Sequence, residues 1–486
     1  MLFSHTIFLC AFLTGTITLY YLFKNHIAIK NTILFLVSIF FYAWGESRFV
    51  FVMLASILLN YLFGLAISRS QKKGGKGKIW LIFSIIVNLG LIFVFKYLMF
   101  TVRSLNLFFS ADFAVPEIAL PIGISFFTFQ ALSYVVDVYR KTTEAQKNPL
   151  YLGLYIAFFP QLIAGPIVRY ETIAEQIRHR KETWKDFSGG CCRFLTGLAK
   201  KVLLSNTMAL IADKAFELSE AGSLSTAMAW LGIVAYTLQI YHDFSGYSDM
   251  AIGLGRMFGF HFLENFDYPY ISASVTEFWR RWHISLGTWF RDYVYFPMGG
   301  SRVNSRRRLL FNLLVVWFLT GVWHGASFNF MLWGLFYFVL LAVEKLFFPG
   351  FVKSDAKHTP LQNCLGRIYT ILAVMFGWVL FRAETLGAAG QYFRTMFTLT
   401  DPAVDGRFLM YVTQKAPYLI AAVLFALPLA PYVNRKLDAM RVGHRAGRIT
   451  AAVCDTLYPL ALCSLLLVCI SYLLKGTYNP FIYFNF

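Results

Sequence analysis

Apolar runs long enough to cross a bilayer recur along almost the whole chain, and nothing else constrains its folding as strongly. A helix needs about 20 apolar residues to span the hydrocarbon core. Runs of that order lie near 6–23, 31–45, 49–67, 79–100, 118–138, 228–246, 308–323, 326–348, 367–382, 415–433 and 451–474. Backbone N–H and C=O groups in lipid must be satisfied within the segment, which selects helices. Only 14% of the residues are charged, where a soluble domain carries about a quarter. The expected fold is an all-α polytopic membrane protein with about eleven transmembrane helices. The chain reads as one membrane-embedded domain, 1–486, with N-terminal spans at 1–148, a core at 149–348 and C-terminal spans at 349–486.

The formal charge is +19, and the cations fall in short loops between spans. Basic stretches at 69–78, 139–141, 178–181, 301–308 and 435–448 mark the cytoplasmic side of an inner membrane. Counting spans outward from the first and last of these places both termini on the extracytoplasmic side. No separate basic domain exists to carry nucleic-acid binding. Most of the seven cysteines lie in apolar runs, where cysteine behaves as a small hydrophobe. No CxxC or Cys/His spacing suggests a metal. The N-terminus has no Lys or Arg before Lys24 and no small-residue cleavage site, so the first segment reads as a span rather than a signal peptide.

The middle of the chain departs from a row of simple spans. The apolar stretch 151–165 is short and is broken by Pro160 and by Gly165-Pro166, as a re-entrant segment would be. Residues 187–215 mix Arg193, Lys200 and Lys201 with apolar neighbours, the pattern of an amphipathic interfacial helix.

Four motifs offer chemistry, and each also has a purely structural reading. In Phe278-Trp279-Arg280-Arg281-Trp282-His283, helical spacing would put Trp279, Trp282 and His283 on one face. The same segment would serve as an interfacial helix with snorkelling arginines. At the end of the run at 228–246 come His242, Asp243 and Ser245, followed by Asp249. These can line a polar cavity, position an acyl donor, or cap broken helix ends. Gln161 lies beside Pro160 in a segment suited to a turn. The small residues of Pro121-Ile122-Gly123-Ile124-Ser125 permit close packing.

His324, in Gly321-Val322-Trp323-His324-Gly325 between two apolar runs, carries the most weight. Ionisable groups at membrane depth are costly and face a bundle interior or a wet cavity. Fifteen residues separate it from Leu309, about 22 Å of helix, which sets the imidazole past mid-membrane. Gly321 and Gly325 would leave room for a substrate beside the ring. A neutral imidazole there can accept a proton; the alternative is a core histidine bonded to a neighbouring helix. No GxSxG elbow, P-loop, HExxH or dinucleotide fingerprint is present.

Together these motifs resemble the membrane-bound O-acyltransferase (MBOAT) family. The resemblance rests on 241–253, 278–286, 321–325, 158–167 and the closing Phe481-Ile482-Tyr483-Phe484. Within the family the chain is most similar to the membrane subunits of bacterial polysaccharide O-acetylation, the alginate type. The resemblance implies a ring-like helical core around a central tunnel, with His324 as the catalytic histidine and His283 as the second. Trp323, Trp279, Arg280, Asp243, Ser245, Asp249 and Gln161 are the candidate substrate or tunnel-lining residues. It further implies acetyl-CoA as donor and an extracytoplasmic SGNH-type partner that acetylates the polysaccharide. Two other functions stay open: D-alanyl transfer for teichoic-acid decoration, and a lipid or glycan transporter using the histidine as a proton relay.

Overall fold

The computed structural model describes residues 3–352, 359–442, 444–476, 478, 480 and 482. Apart from Ile482, the closing motif therefore lies outside the described residues. The chain folds as two compact units, Met1–Cys191 with Met250–Leu263, and Cys192–Asp249 with Glu264–Phe486.

The first unit begins with α1 (Phe8–Leu22), α2 (Ile27–Gly45), α3 (Val50–Lys72) and α4 (Lys78–Phe109). After a non-helical stretch comes α5 (Ile124–Arg140). Lipid-facing helices gain little from apolar contact with one another, so polar pairs and small residues hold them together. Between α3 and α4 the buried side chains of Asn60 and Asn88 bond reciprocally, at 2.8 and 3.1 Å. Asn148 caps α6 (Pro149–Ala157), and the chain breaks at Phe158 before α7 (Phe159–Leu162). Both pieces are too short to span, as the Pro160 break suggested. Next comes α8 (Tyr170–His179).

A continuous helix, α9 (Trp184–Glu220), is long and apolar enough to cross a membrane, and most of that stretch is buried. This corrects the interfacial helix expected at 187–215. Its cations are matched inside the second unit: Arg193 reaches Asp249 at 2.9 Å and also Glu264, and Lys200 reaches Asp249 at 2.7 Å. Lys201 stands 2.6 Å from Asp243. Helix α10 (Thr226–Met257) runs through the polar motif without interruption, so Asp243, Ser245 and Asp249 cap no helix ends.

The helix expected across residues 279–283 is also corrected. α11 (Val275–Arg281) and α12 (Ile284–Phe290) are separate, with His283 between them at φ 45°, ψ 53°. Residues 279, 282 and 283 therefore share no helix face. The later helices are α13 (Arg306–His324), α14 (Phe328–Phe347), α15 (Pro360–Arg382) and α16 (Leu386–Phe397). They are followed by α17 (Gly406–Phe425), α18 (Leu429–Val442) and α19 (Arg445–Leu474). The basic stretch 435–448, expected as a loop, is mostly helical.

Eight helices among the described residues are long and apolar enough to cross a membrane, and the expected count of eleven is not reproduced. α1 and α5 are short, while α10 and α13 carry polar or basic residues within their length. They are helices all the same, but the expected span at 415–433 is broken between α17, which ends at Phe425, and α18, which starts at Leu429.

α13 and α14 pack with their backbones close together. A Cβ on Gly321 would stand 2.3 Å from the Phe330 carbonyl oxygen, and one on Gly334 would stand 2.4 Å from that of Trp317. Gly334→Val is therefore expected to lower stability by about 1–3 kcal/mol through overpacking. The measurement is thermal unfolding of the purified protein in detergent micelles, and an unchanged midpoint would refute the close approach.

Candidate active site

His324 is the last residue of α13, and the chain turns immediately after it. Ser327 caps α14 by accepting from the Asn329 N–H at 3.1 Å, and the Asn329 side chain donates to the Ala383 carbonyl at 2.6 Å. The imidazole is thus held where two helices meet, and only 8% of its residue surface is exposed. Its ring lies 4.9 Å from those of Trp323 and Trp333 and 5.0 Å from that of Phe381, all steeply inclined to it. The flanking glycines do not make the room for a substrate that the sequence suggested. α14 fills that space: a Cβ on Gly325 would fall 2.2 Å from the Phe330 ring.

Room lies instead on another side of the ring. A small cavity is lined by His324 together with Trp279, Trp282, Trp333 and Trp378. Phe244, Phe381, Ile240 and Ile482 complete its wall. Among the described residues, the imidazole and the indoles are the only polar side chains of this lining. The indole N–H groups of Trp279 and Trp333 are buried with no hydrogen-bond partner among the described residues. Leaving a buried donor unpaired costs roughly 1–3 kcal/mol, so two beside one histidine need an explanation.

His283 stands apart from this lining. Its ring packs on Phe244 at 4.6 Å, and Trp323 lies 6.1 Å away, so Phe244 and Trp323 connect its surroundings to those of His324. Asn265 fixes the left-handed turn. Its carbonyl accepts from the Ile284 N–H at 3.0 Å, and its side-chain oxygen accepts from the Ser285 N–H at 3.1 Å. That oxygen also lies 3.2 Å from His283 Nδ1. His283 lies in none of the spanning segments, and burial lowers its pKa to about 3, so the ring is neutral.

The other candidates divide by location. Trp279 lines the cavity, and Trp323 touches His324. Arg280 is exposed on α11 and outside the lining. Asp249 is occupied by Arg193 and Lys200. Ser245 is buried, and its hydroxyl has no partner among the described residues. Asp243 accepts from the Ile482 N–H at 2.9 Å beside its ion pair with Lys201, and Lys201 also donates to the Pro480 carbonyl. Because Ile482 lines the cavity, this pair anchors part of its wall. Gln161 belongs to the first unit, where it donates to the Tyr155 carbonyl at 2.5 Å. Among the described residues, no three His, Cys, Asp or Glu side chains gather as metal ligands.

Sequence reasoning missed Trp333, Trp378, Phe381, Asn265 and Lys201 as parts of this site. The aromatics sit in apolar runs, where nothing distinguishes them from packing residues.

The apolar helices define a multi-pass helical membrane protein with a buried histidine beside an aromatic cavity. The chain belongs to the membrane-bound O-acyltransferase family, whose profile matches residues 37–384; it is an acyltransferase of that type. It is 39% identical to a probable alginate O-acetylase of Azotobacter vinelandii over 511 residues, all of both chains. A peptidoglycan O-acetyltransferase of Helicobacter pylori is 30% identical over 525 residues, covering 100% of this chain and 98% of the relative. The teichoic acid D-alanyltransferase of Bacillus subtilis is 31% identical over 289 residues, covering 54% of this chain and 69% of the relative.

Proposed function

We propose that this protein moves an acetyl group from cytoplasmic acetyl-CoA across the inner membrane for O-acetylation of an extracytoplasmic polysaccharide. The observation that carries this reading is end-to-end similarity to an alginate O-acetylase. The whole chain acts as one membrane-embedded domain, both termini are extracytoplasmic, and an SGNH-type partner supplies the acceptor hydroxyl.

His324 is the general base. Its imidazole takes the acceptor proton as the hydroxyl oxygen attacks the thioester carbonyl carbon. The C=O electron pair moves onto oxygen and then returns, expelling CoA thiolate, which receives the proton from the imidazolium. His283 is a positioning residue on the donor side, with Trp279 and Trp323 as walls of the path. In this reading Arg280, Asp243, Ser245, Asp249 and Gln161 hold the surrounding helices and touch no substrate.

D-Alanyl transfer is the second reading, favoured by similarity to the teichoic acid D-alanyltransferase over half the chain. Membranes containing the protein and its partner separate the two. Labelled acetyl-CoA is expected to label a partner or glycan hydroxyl; label from D-alanine and none from acetyl-CoA would overturn the acetyl assignment.

A further inference from the structure

Base catalysis accounts for only half of what this acyl transfer needs. Attack on the thioester drives negative charge onto the carbonyl oxygen, and a cavity wall of phenylalanine and isoleucine side chains offers that charge nothing. Preorganised hydrogen-bond donors at the position of the developing oxyanion are usually the largest single contribution in such sites. Apart from the imidazole, indole N–H groups are the only side-chain donors in the cavity lining among the described residues.

Two of them stand out. Trp333 is fully buried, and its ring meets the His324 ring edge-on at 4.9 Å. Trp279 meets Trp333 at 5.5 Å, almost perpendicular to it. Both line the cavity, and both have buried N–H groups without a partner among the described residues. Trp378 is a weaker candidate because the Tyr270 hydroxyl lies beside it. Packing alone does not explain the pair, since phenylalanine would fill an apolar wall without burying a donor.

Resting on His324 as the base, we propose that the indole N–H groups of Trp279 and Trp333 bind the oxyanion of the tetrahedral intermediate. The hydroxyl oxygen bonds to the carbonyl carbon, its proton passes to His324, and the carbonyl electron pair settles on the oxygen facing the indoles. Collapse restores C=O, breaks the C–S bond and returns the proton to the departing thiolate. A donor of this kind acts on the transition state and leaves ground-state binding almost unchanged.

The test replaces each tryptophan in turn with 3-benzothienylalanine, which keeps the bicyclic shape and carries sulfur in place of N–H. Initial rates with labelled acetyl-CoA are measured in membranes that contain the acceptor partner, with His324→Ala in parallel. Each isostere is expected to lower kcat about 10²–10³-fold, with KM for acetyl-CoA within about threefold of wild type. Monodisperse elution in detergent confirms folding. Isosteres that keep the wild-type kcat while His324→Ala is inactive would overturn the proposal and leave the base assignment standing. Slow isosteres with an active His324→Ala would keep the indole donors and remove His324 as base. A rise in KM at constant kcat would make the tryptophans binding walls only, and the proposal would fall.

Discussion

His324→Ala is expected to lower acyl transfer by about 10²–10⁴-fold, the range a positioned general base supplies. KM for the donor should change little, because proton abstraction contributes only once the acceptor attacks. The alanine variant also leaves a hole beside Trp323, Trp333 and Phe381, so lost packing must be separated from lost chemistry. His324→Gln does this: it fills much of the volume and keeps a hydrogen-bonding side chain, yet cannot act as a base near neutral pH. Both variants should be equally slow, and the glutamine variant should unfold close to wild type. A glutamine variant with more than about a tenth of wild-type kcat would remove the imidazole from the chemistry, since one tenth is above the weakest general-base effect.

The second large effect concerns stability. Lys201 and Asp243 form an ion pair whose side chains are only 3% and 2% exposed. Lys201→Met removes the cation and strands a buried carboxylate, at an expected cost of about 3–5 kcal/mol. Lys201→Met combined with Asp243→Asn removes both charges and keeps an acceptor for the Ile482 N–H. Most of the loss should then be recovered. Denaturant or thermal unfolding in micelles reads this difference directly, and a double variant no more stable than the single one would show that the pair is not the cause.

What the sequence disclosed follows from the range of the forces involved. Spans were legible because lipid imposes its demand on each segment separately, and every expected run except 415–433, which breaks between α17 and α18, lies mostly on one helix. His324 was legible for the same reason: a polar ring between apolar runs is a local anomaly. The errors arose where a distant residue decides. Arg193, Lys200 and Lys201 suggested an interfacial helix because their partners lie 42–71 residues away in sequence. The turn at His283 has no glycine or proline to announce it and depends on Asn265, 18 residues upstream. Gly321 and Gly325 read as open space, but α14, folding back from the turn after Gly325, occupies it. Trp333 was hidden by residue type, since an indole in an apolar run looks like filling until its N–H is found without a partner among the described residues.

Arg193, Lys200 and Lys201 of α9 also bear on how the chain assembles. Each would cost about 2.5–3.5 kcal/mol at the centre of a bilayer if left uncompensated. Their counter-charges, Asp243, Asp249 and Glu264, emerge from the ribosome only after α9 is complete. At first, then, this helix has no stable place in the hydrocarbon. Asp243 and Asp249 become available only with α10, and Glu264 only after it. The buried position of α9 therefore depends on residues that follow it in the chain and is closed to the helix alone.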